Sequence, residues 1–462
     1  MPQDRSRHHA IVIGASMSGL LAARVLADRY ARVTIVERDS LPAEAGQRKG
    51  VPQGNHAHGL LARGREILED LFPGVTATLV AKGALSGEVS GDALWHCAGG
   101  YLAPVYGGLT GILLSRPLLE GEVRARVRAL PNVAILSGCD AFGLTASADW
   151  ARVTGLRVQR TNGVVEEIAA ELVVDASGNG SRTPAWLEAF GYAPPEENEV
   201  RVGLGYASRI YRRRPEHLGG KIGLVIATQP PNPRSGALLA MEGDRWILST
   251  VGYFDRHPPT DGDGFVEFLA GLPCPGLHEL ARTAEPLSEV KTYKVPGSTR
   301  RHYERLKRFP AGLLVIGDAV SRFNPVFGQG MTSAALQAVA LADCLGDDGG
   351  APLWRRFFAR VVRVVDGPWQ IAAGADLGFA EVEGKRGPMV KFINWYIAKL
   401  HRAAHRDPAA ALAFHKVANL VAPPPSILAP AVAWRVLRGN LGRGTEARAK
   451  APRLAGAPNA GA

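Results

Sequence analysis

Cysteine is scarce. The 462 residues hold four, Cys97, Cys139, Cys274 and Cys344, and no two lie closer than 42 positions. That spacing excludes a CxxC redox pair and argues against a zinc site or a disulfide framework. Aromatic residues make up only 7% and are not interleaved with the basic ones, which argues against a nucleic-acid enzyme. No apolar run reaches 18 residues, and the nearest approach, 420–437, is broken by Pro423, Pro424, Pro425 and Pro430, so no membrane span is expected. Residues 1–4 are polar and lead into a strand pattern within ten residues, without the apolar core of a secretion signal, so a cytoplasmic location is the expectation. Charged residues amount to 21%, and nearly half of the net +11 comes from the six Arg or Lys against one Glu found from Arg435 onward. The remainder is only mildly basic.

What is present is glycine, 54 residues of it, and a length about three times that of a typical ~150-residue domain. Residues 10–14, an apolar run ending in Gly14, precede a helical pattern over 18–30 and a β-branched stretch over 32–36 that ends at Glu37, Arg38 and Asp39. This spacing predicts a βαβ unit. Residues 41–59 are too irregular for an element and long for a connection, which suggests a functional loop or gate. Helices are predicted over 60–72 and 115–130, the second with Arg and Glu interleaved on a polar face. The short alternating stretches 93–102, 133–137, 151–159 and 164–174 read as a β-meander. Longer strand candidates over 200–211, 222–228, 236–241 and 245–253 indicate a second, mixed sheet. A buried strand at 312–318 and a helix at 331–345 return the chain to the first lobe, and helical patterns fill 353–400 and continue through His415.

The predicted class is α/β, α+β overall: a Rossmann-type lobe with a β-meander, a mixed-sheet substrate lobe and C-terminal helices. The divisions read from the sequence are 8–183 with 297–350 for the nucleotide lobe, 184–296 for the substrate lobe, 351–440 for the helical region, and a flexible tail over 441–462.

Gly14-Ala15-Ser16-Met17-Ser18-Gly19 is a glycine-rich dinucleotide turn with Ser16 in place of the middle glycine. Gly14 permits the tight turn, Ser16 is small enough for a diphosphate to approach, and Gly19 lets helix pack on strand. The helix N-terminus, including Ser18, presents N–H groups to the diphosphate, and Glu37 stands where a carboxylate takes ribose hydroxyls. NAD and FAD share this fingerprint. Two further strand ends favour the longer cofactor: Asp175-Ala176-Ser177-Gly178, and Gly317-Asp318 followed by the turn Pro325-Val326-Phe327-Gly328-Gln329-Gly330-Met331.

On these motifs the chain resembles the FAD-dependent monooxygenases of the para-hydroxybenzoate hydroxylase superfamily over residues 8–350. It looks most like the actinobacterial hydroxylases and epoxidases of polyketide or terpenoid intermediates. The resemblance implies that Gly14, Gly19, Glu37 and Arg38 belong to the ADP-binding fingerprint, and that Asp175 and Gly178 form the DG-type motif. It implies that Gly317 and Asp318 touch the ribityl chain, and that Arg116 and Arg48 contact FAD. Pro325, Gly328, Gly330 and Met331 would face the flavin, where Gly330→Asp is expected both to clash and to weaken anion stabilisation. The segment 51–58, with His56 and His58, resembles a signature of the epoxidase-like subgroup, which implies that it lies near the flavin.

By the same resemblance, the implied activity is insertion of one oxygen atom from O2, by hydroxylation or epoxidation, into an apolar aromatic, polyketide or terpenoid substrate through a flavin C4a-hydroperoxide. Electrons would come from transient NADPH or NADH, or as reduced flavin from a partner reductase. A reductase of isoprenoid double bonds is the alternative. A flavin halogenase fits less well, because no two of the eight tryptophans stand two apart. No metal is implied.

Other conspicuous residues have plain readings. His56 and His58, in an Asn/Gly-rich loop, could be a metal pair or a general base and read more plainly as solvated or capping histidines; Arg209, Arg212, Arg213 and Arg214 could bind nucleic acid or a nicotinamide phosphate and read more plainly as a charged strand end. The aromatics Phe357, Phe358, Trp369, Phe379, Phe392, Trp395 and Tyr396 fit either a pocket roof or core packing.

Overall fold

The computed structural model describes residues 7–347 and 349–441. The expected tail over 441–462 lies, but for Leu441, outside the described residues. The predicted βαβ unit is present as β1 (Arg7–Ile13), α1 (Met17–Ala27) and β2 (Tyr30–Glu37). β1 is the centre of a five-stranded parallel sheet ordered Leu313–Val315, Leu172–Asp175, β1, β2, Val133–Ser137. Its continuous apolar run is what a strand covered on both faces requires. In the register of this sheet Ile13 lies beside both Asp175 and Val36, and Asp175 beside Val315. The three glycine turns, far apart in sequence, therefore open side by side at one edge. The helix Gly330–Gly346 packs with α1 and the sheet in the largest apolar core, around Leu20, Leu26, Val173, Ala338 and Leu341.

The meander differs from expectation. It consists of three antiparallel strands, Cys139–Ala146, Val153–Arg160 and Val165–Ala169. Val133–Ser137 belongs instead to the parallel sheet. Ala93–Cys97 pairs in parallel with Gly223–Ile226 and so joins the second lobe. A short alternating segment does not specify its partner; only the complementary edge does.

The second lobe is an eight-stranded mixed sheet, led by the long strands Glu197–Arg212, Arg245–Gly252 and Lys291–Arg301. Two helices not expected from the sequence, Gly262–Ala270 and Gly276–Thr283, cover one face with Phe265, Leu269 and Leu277. The expected helical stretch 353–400 is two helices, Leu353–Asp376 and Pro388–Ala404, followed by Pro408–Ala418 and Pro430–Leu441. Lys291–Arg301 straddles the division placed at 296/297, and we propose that division, with 183/184 and 350/351, as one of function rather than of sheets. No helix among the described residues is long and apolar enough to cross a membrane.

Candidate active site

Gly14 turns the chain out of β1 with φ +99°, and a Cβ there would stand 2.8 Å from the Ala176 carbonyl oxygen. A Cβ on Gly19 would collide with the Gly14 carbonyl, so the close helix-on-strand approach expected of this turn is present. Ser16 occupies the helix N-cap without a side-chain cap. Its hydroxyl donates to Glu120 Oε2 at 3.1 Å and accepts from Arg116 Nη2 at 2.9 Å.

Glu37 is buried. Its Oε2 accepts the Ala15 N–H at 2.7 Å and its Oε1 the Asp39 N–H at 2.9 Å. Arg48, reaching in from the long loop, lies 3.3 Å from Glu37 and 2.7 Å from Glu120. Glu120 also meets Arg116 at 3.2 Å and Arg124 at 3.7 Å. Arg116, Glu120 and Arg124 are all nearly inaccessible, which corrects the reading of this helix face as solvent-polar. Desolvating such a set costs several kcal/mol per ion unless each charge is paired. Glu120 does that pairing, and its only signal in the sequence is arginine, glutamate and arginine at four-residue intervals. Arg38 is exposed and, among the described residues, no ion pair joins it to this cluster. The long loop is fastened at Arg48, at Gly50, whose N–H donates to Asp39 at 2.8 Å, and at His56.

The second motif behaves differently from expectation. Asp175 accepts four hydrogen bonds, from the Ser177 N–H and hydroxyl and from the Ser181 and Thr183 hydroxyls, at 2.5–2.9 Å. A carboxylate has about four acceptor positions, so Asp175 shapes its own turn and, in this arrangement, has none left for a cofactor hydroxyl. Gly178 borders open space.

At the third motif Gly317 has φ +72°, and a Cβ would collide with Ser18 Oγ. Its N–H donates to buried Gln337 at 2.8 Å, which ties the strand end to the helix Gly330–Gly346. Asp318 follows with no hydrogen-bond partner on its carboxylate among the described residues; burial pushes its pKa up, while Arg116 and Arg322 pull it down. Pro325 and Gly328 are exposed, and a Cβ at Gly328 or Gly330 would meet nothing within 4 Å. The clash expected for Gly330→Asp therefore does not arise at its Cβ, which has no protein neighbour. Met331 is half-buried against the main core.

Opposite this turn stands a wall of which the sequence indicated only the segment that carries His56. His56 is buried, not solvated: its Nδ1 shares a hydrogen bond with Ser208 Oγ at 2.7 Å, and Ser208 in turn meets Ser249 at 2.5 Å. His56 Nε2 has no hydrogen-bond partner, nor does the Tyr206 hydroxyl, and the two rings lie 5.6 Å apart. Desolvation holds the His56 pKa down at about 4, so the ring is neutral. His58 is likewise held at about 4 by burial and by Arg116. Tyr206 belongs to an apolar cluster with Val202, Val251, Val295 and Phe379 that reaches Val326 in the turn before Gly328. Behind it, Asn324 Nδ2 donates to Asp376 at 2.9 Å and lies 2.8 Å from Tyr253 Oη. Burial raises the Asp376 pKa to about 7.

The remaining aromatics divide. Phe357 and Phe358 pack in the main core, Trp369 and Phe379 border the Tyr206 cluster, and Phe392 and Trp395 are exposed. Arg209 donates to the Ser288 carbonyl, Arg212 pairs with Glu285 and Arg213 lies over Trp246, as a charged strand end should.

Three turns converging on one sheet edge, with open space at Gly178, Gly328 and Gly330 and an unpartnered carboxylate at Asp318, match an extended dinucleotide. Residues 7–347 match the family described as FAD binding domain. The chain belongs to this FAD-binding family. It is a FAD-dependent oxidoreductase, similar to monooxygenases of the para-hydroxybenzoate hydroxylase type. It is 39% identical to Protein Rv3254 of Mycobacterium tuberculosis over 351 residues, 72% of each chain. It is 28% identical to kynurenine 3-monooxygenase of Salinispora arenicola over 371 residues, 74% of this chain and 73% of that one. Among solved structures, the flavin-dependent brominase Bmp2 superposes with TM-score 0.65 at 14% identity, covering 89% of this chain and 93% of that one. The 2-methyl-3-hydroxypyridine-5-carboxylic acid oxygenase superposes with TM-score 0.57 at 19% identity, covering 90% and 98%. At these identities both report the fold.

Proposed function

We propose that the chain inserts one oxygen atom of O2, by hydroxylation or epoxidation, into an apolar aromatic, polyketide or terpenoid substrate. When bound, FAD supplies the reduction of O2 and the transferable oxygen. The protein's part is position, exclusion of water and charge stabilisation. Gly14, Ser16, Ser18 and Gly19 would carry the diphosphate on the α1 N-terminus, with Arg48 and Arg116 turning toward it. Glu37 and Arg38 would meet the adenosine end, Asp318 the ribityl hydroxyls, and Gly328 to Met331 the flavin edge, where the helix N-terminus favours developing negative charge. Gly178 leaves room for the chain of the cofactor, and Pro325 would lie beside the ring. NADPH or NADH, or a partner reductase delivering reduced flavin, would provide electrons.

The observation that carries the substrate reading is the pairing of His56 Nε2 and the Tyr206 hydroxyl, both buried and unpartnered, at the border of an apolar cluster touching Val326. An orphaned buried polar group costs about 1–3 kcal/mol until a ligand satisfies it. A mostly apolar substrate with one oxygen function suits that wall. The test is NADPH oxidation by FAD-loaded protein across a panel of phenols, polyenes and their deoxygenated analogues, with and without O2. Stimulation by the oxygen-bearing members, with oxygenated product only in air, supports the reading. Product formed under strict anaerobiosis would transfer it to the isoprenoid reductase. Tyr206→Phe should raise KM for oxygen-bearing substrates and leave KM for the deoxygenated ones unchanged.

A further inference from the structure

The C-terminal helices hold an outer face that neither the fold nor the flavin site uses. On the helix Pro388–Ala404, Met389, Phe392 and Trp395 follow one another at three-residue spacing and are exposed, Trp395 at 57%. The rings of Phe392 and Trp395 lie 5.9 Å apart. On the helix Pro430–Leu441, Trp434, Leu437 and Leu441 share one face and are exposed, Trp434 at 62%. The two helices lie side by side and antiparallel: Asn440 donates to the Lys399 carbonyl at 3.0 Å, and Arg435 pairs with Asp407 at 3.0 Å. Their inner faces are already satisfied by Tyr396, Leu400, Ala403 and Val436 in a core of their own. The outer apolar residues are thus surplus to folding, and exposed apolar residues on two adjacent helices mark a contact surface.

Charge identifies the partner. From Met389 to the end of the sequence there are eleven Lys or Arg against Asp407 and Glu446 alone, so this stretch of sequence carries nearly all of the chain's net +11, and seven of the eleven fall among the described residues. Lys391, Arg402 and Arg438 are exposed beside the apolar residues. A second copy packed isologously would set these charges against themselves. A nucleic acid would use the arginines and indoles but leave Met389, Leu437 and Leu441 facing phosphate. Tryptophan at the border, aliphatic residues at the centre and lysine or arginine around them suit a helix lying in the plane of an anionic bilayer.

We propose that this helix pair docks the enzyme peripherally on anionic lipid, its apolar face among the acyl chain ends and its basic residues on the phosphates. The surface is independent of the substrate reading above.

The test is co-sedimentation of the full-length FAD-loaded protein with vesicles of phosphatidylglycerol and phosphatidylcholine in equal parts, against phosphatidylcholine alone. Binding at least about tenfold stronger to the anionic vesicles is expected. The charge reversal Lys391→Glu, Arg402→Glu, Arg438→Glu should lower it on the order of a hundredfold. Trp395→Ser with Trp434→Ser should abolish the fraction that resists high salt. Bound flavin absorbance checks that the variants fold, since none of these residues lies at the cofactor turns. Equal binding to both vesicles, or binding that the variants leave unchanged, overturns the proposal. So does a wild-type dimer in light scattering that the tryptophan variants dissociate without any vesicle binding, or competition by duplex DNA stronger than lipid binding itself.

Discussion

Arg48 and Glu120 meet at 2.7 Å, one from an irregular loop and the other from a helix 72 residues later. This contact fastens the loop over the dinucleotide turn and places a carboxylate at the centre of three buried guanidinium groups, Arg48, Arg116 and Arg124.

Glu120→Gln removes the charge that those arginines share. Breaking a buried ion pair from one side costs about 3–5 kcal/mol, and the amide retains part of the hydrogen bonding, so a loss of about 2–3 kcal/mol in stability without FAD is expected. The freed positive charge should then favour the diphosphate. Thermal melting with and without FAD checks this, the expected outcome being a larger FAD-induced rise in Tm for the variant than for the wild type. An equal rise would remove the arginines from the diphosphate site.

Gly317→Ala and Gly330→Ala separate protein crowding from cofactor crowding. The first drives a methyl group into Ser18 at a left-handed backbone position, whereas the second meets no protein atom. Gly317→Ala should destabilise the protein even without FAD, by roughly 1–3 kcal/mol. Gly330→Ala should leave the FAD-free melting temperature unchanged and weaken FAD binding about tenfold or more, read by quenching of flavin fluorescence.

His415 sits in the C-terminal helices with neither ring nitrogen hydrogen-bonded, and burial lowers its pKa to about 4. The unfolded chain, with an ordinary histidine pKa near 6.5, takes up the proton first. Stability from this group is therefore full above about pH 6.5 and is lost as pH falls through about 4. His415→Phe should remove that loss, a gain of about 2 kcal/mol at pH 5 relative to its effect at pH 8. Urea denaturation at the two pH values measures it.

Asp376 has the opposite sign. Its folded pKa of about 7 lies above the unfolded value of 3.8, so its contribution is present below about pH 4 and is lost as pH rises through about 7. Asp376→Asn should lose this contribution, so that its stability at pH 5 minus that at pH 8 falls below the wild-type difference by about 2–3 kcal/mol. Because Asn324 donates to this carboxyl and leads directly into Pro325, the FAD affinity of the wild type should vary over the same interval and that of the variant should not.

The nucleotide lobe was legible because its signals are local: an apolar strand, a glycine turn and Glu37 within thirty residues. The convergence of Asp175 and Asp318 on Gly14 followed from strand ends alone. What escaped was decided by distant partners. Glu120 reads as one more surface charge until Arg48 covers it, and His56 reads as a loop histidine until Ser208, 152 residues later, accepts it into the wall. Residues 93–97 alternate like a meander strand, yet their edge partner lies at 223–226. The order of charge along a helix is in the sequence; whether water reaches it is not.

That last pairing bears on biosynthesis. A chain emerging N-terminus first presents residues 93–97 more than a hundred residues before their partner exists. The parallel sheet likewise waits for Leu313–Val315 to fill its edge. Most of the polypeptide must leave the ribosome before either sheet can be completed, so the nascent enzyme carries open strand edges for many seconds at about 5–20 residues per second. Its yield in a cell should therefore depend on chaperone supply and growth temperature more than on the final stability of the folded protein.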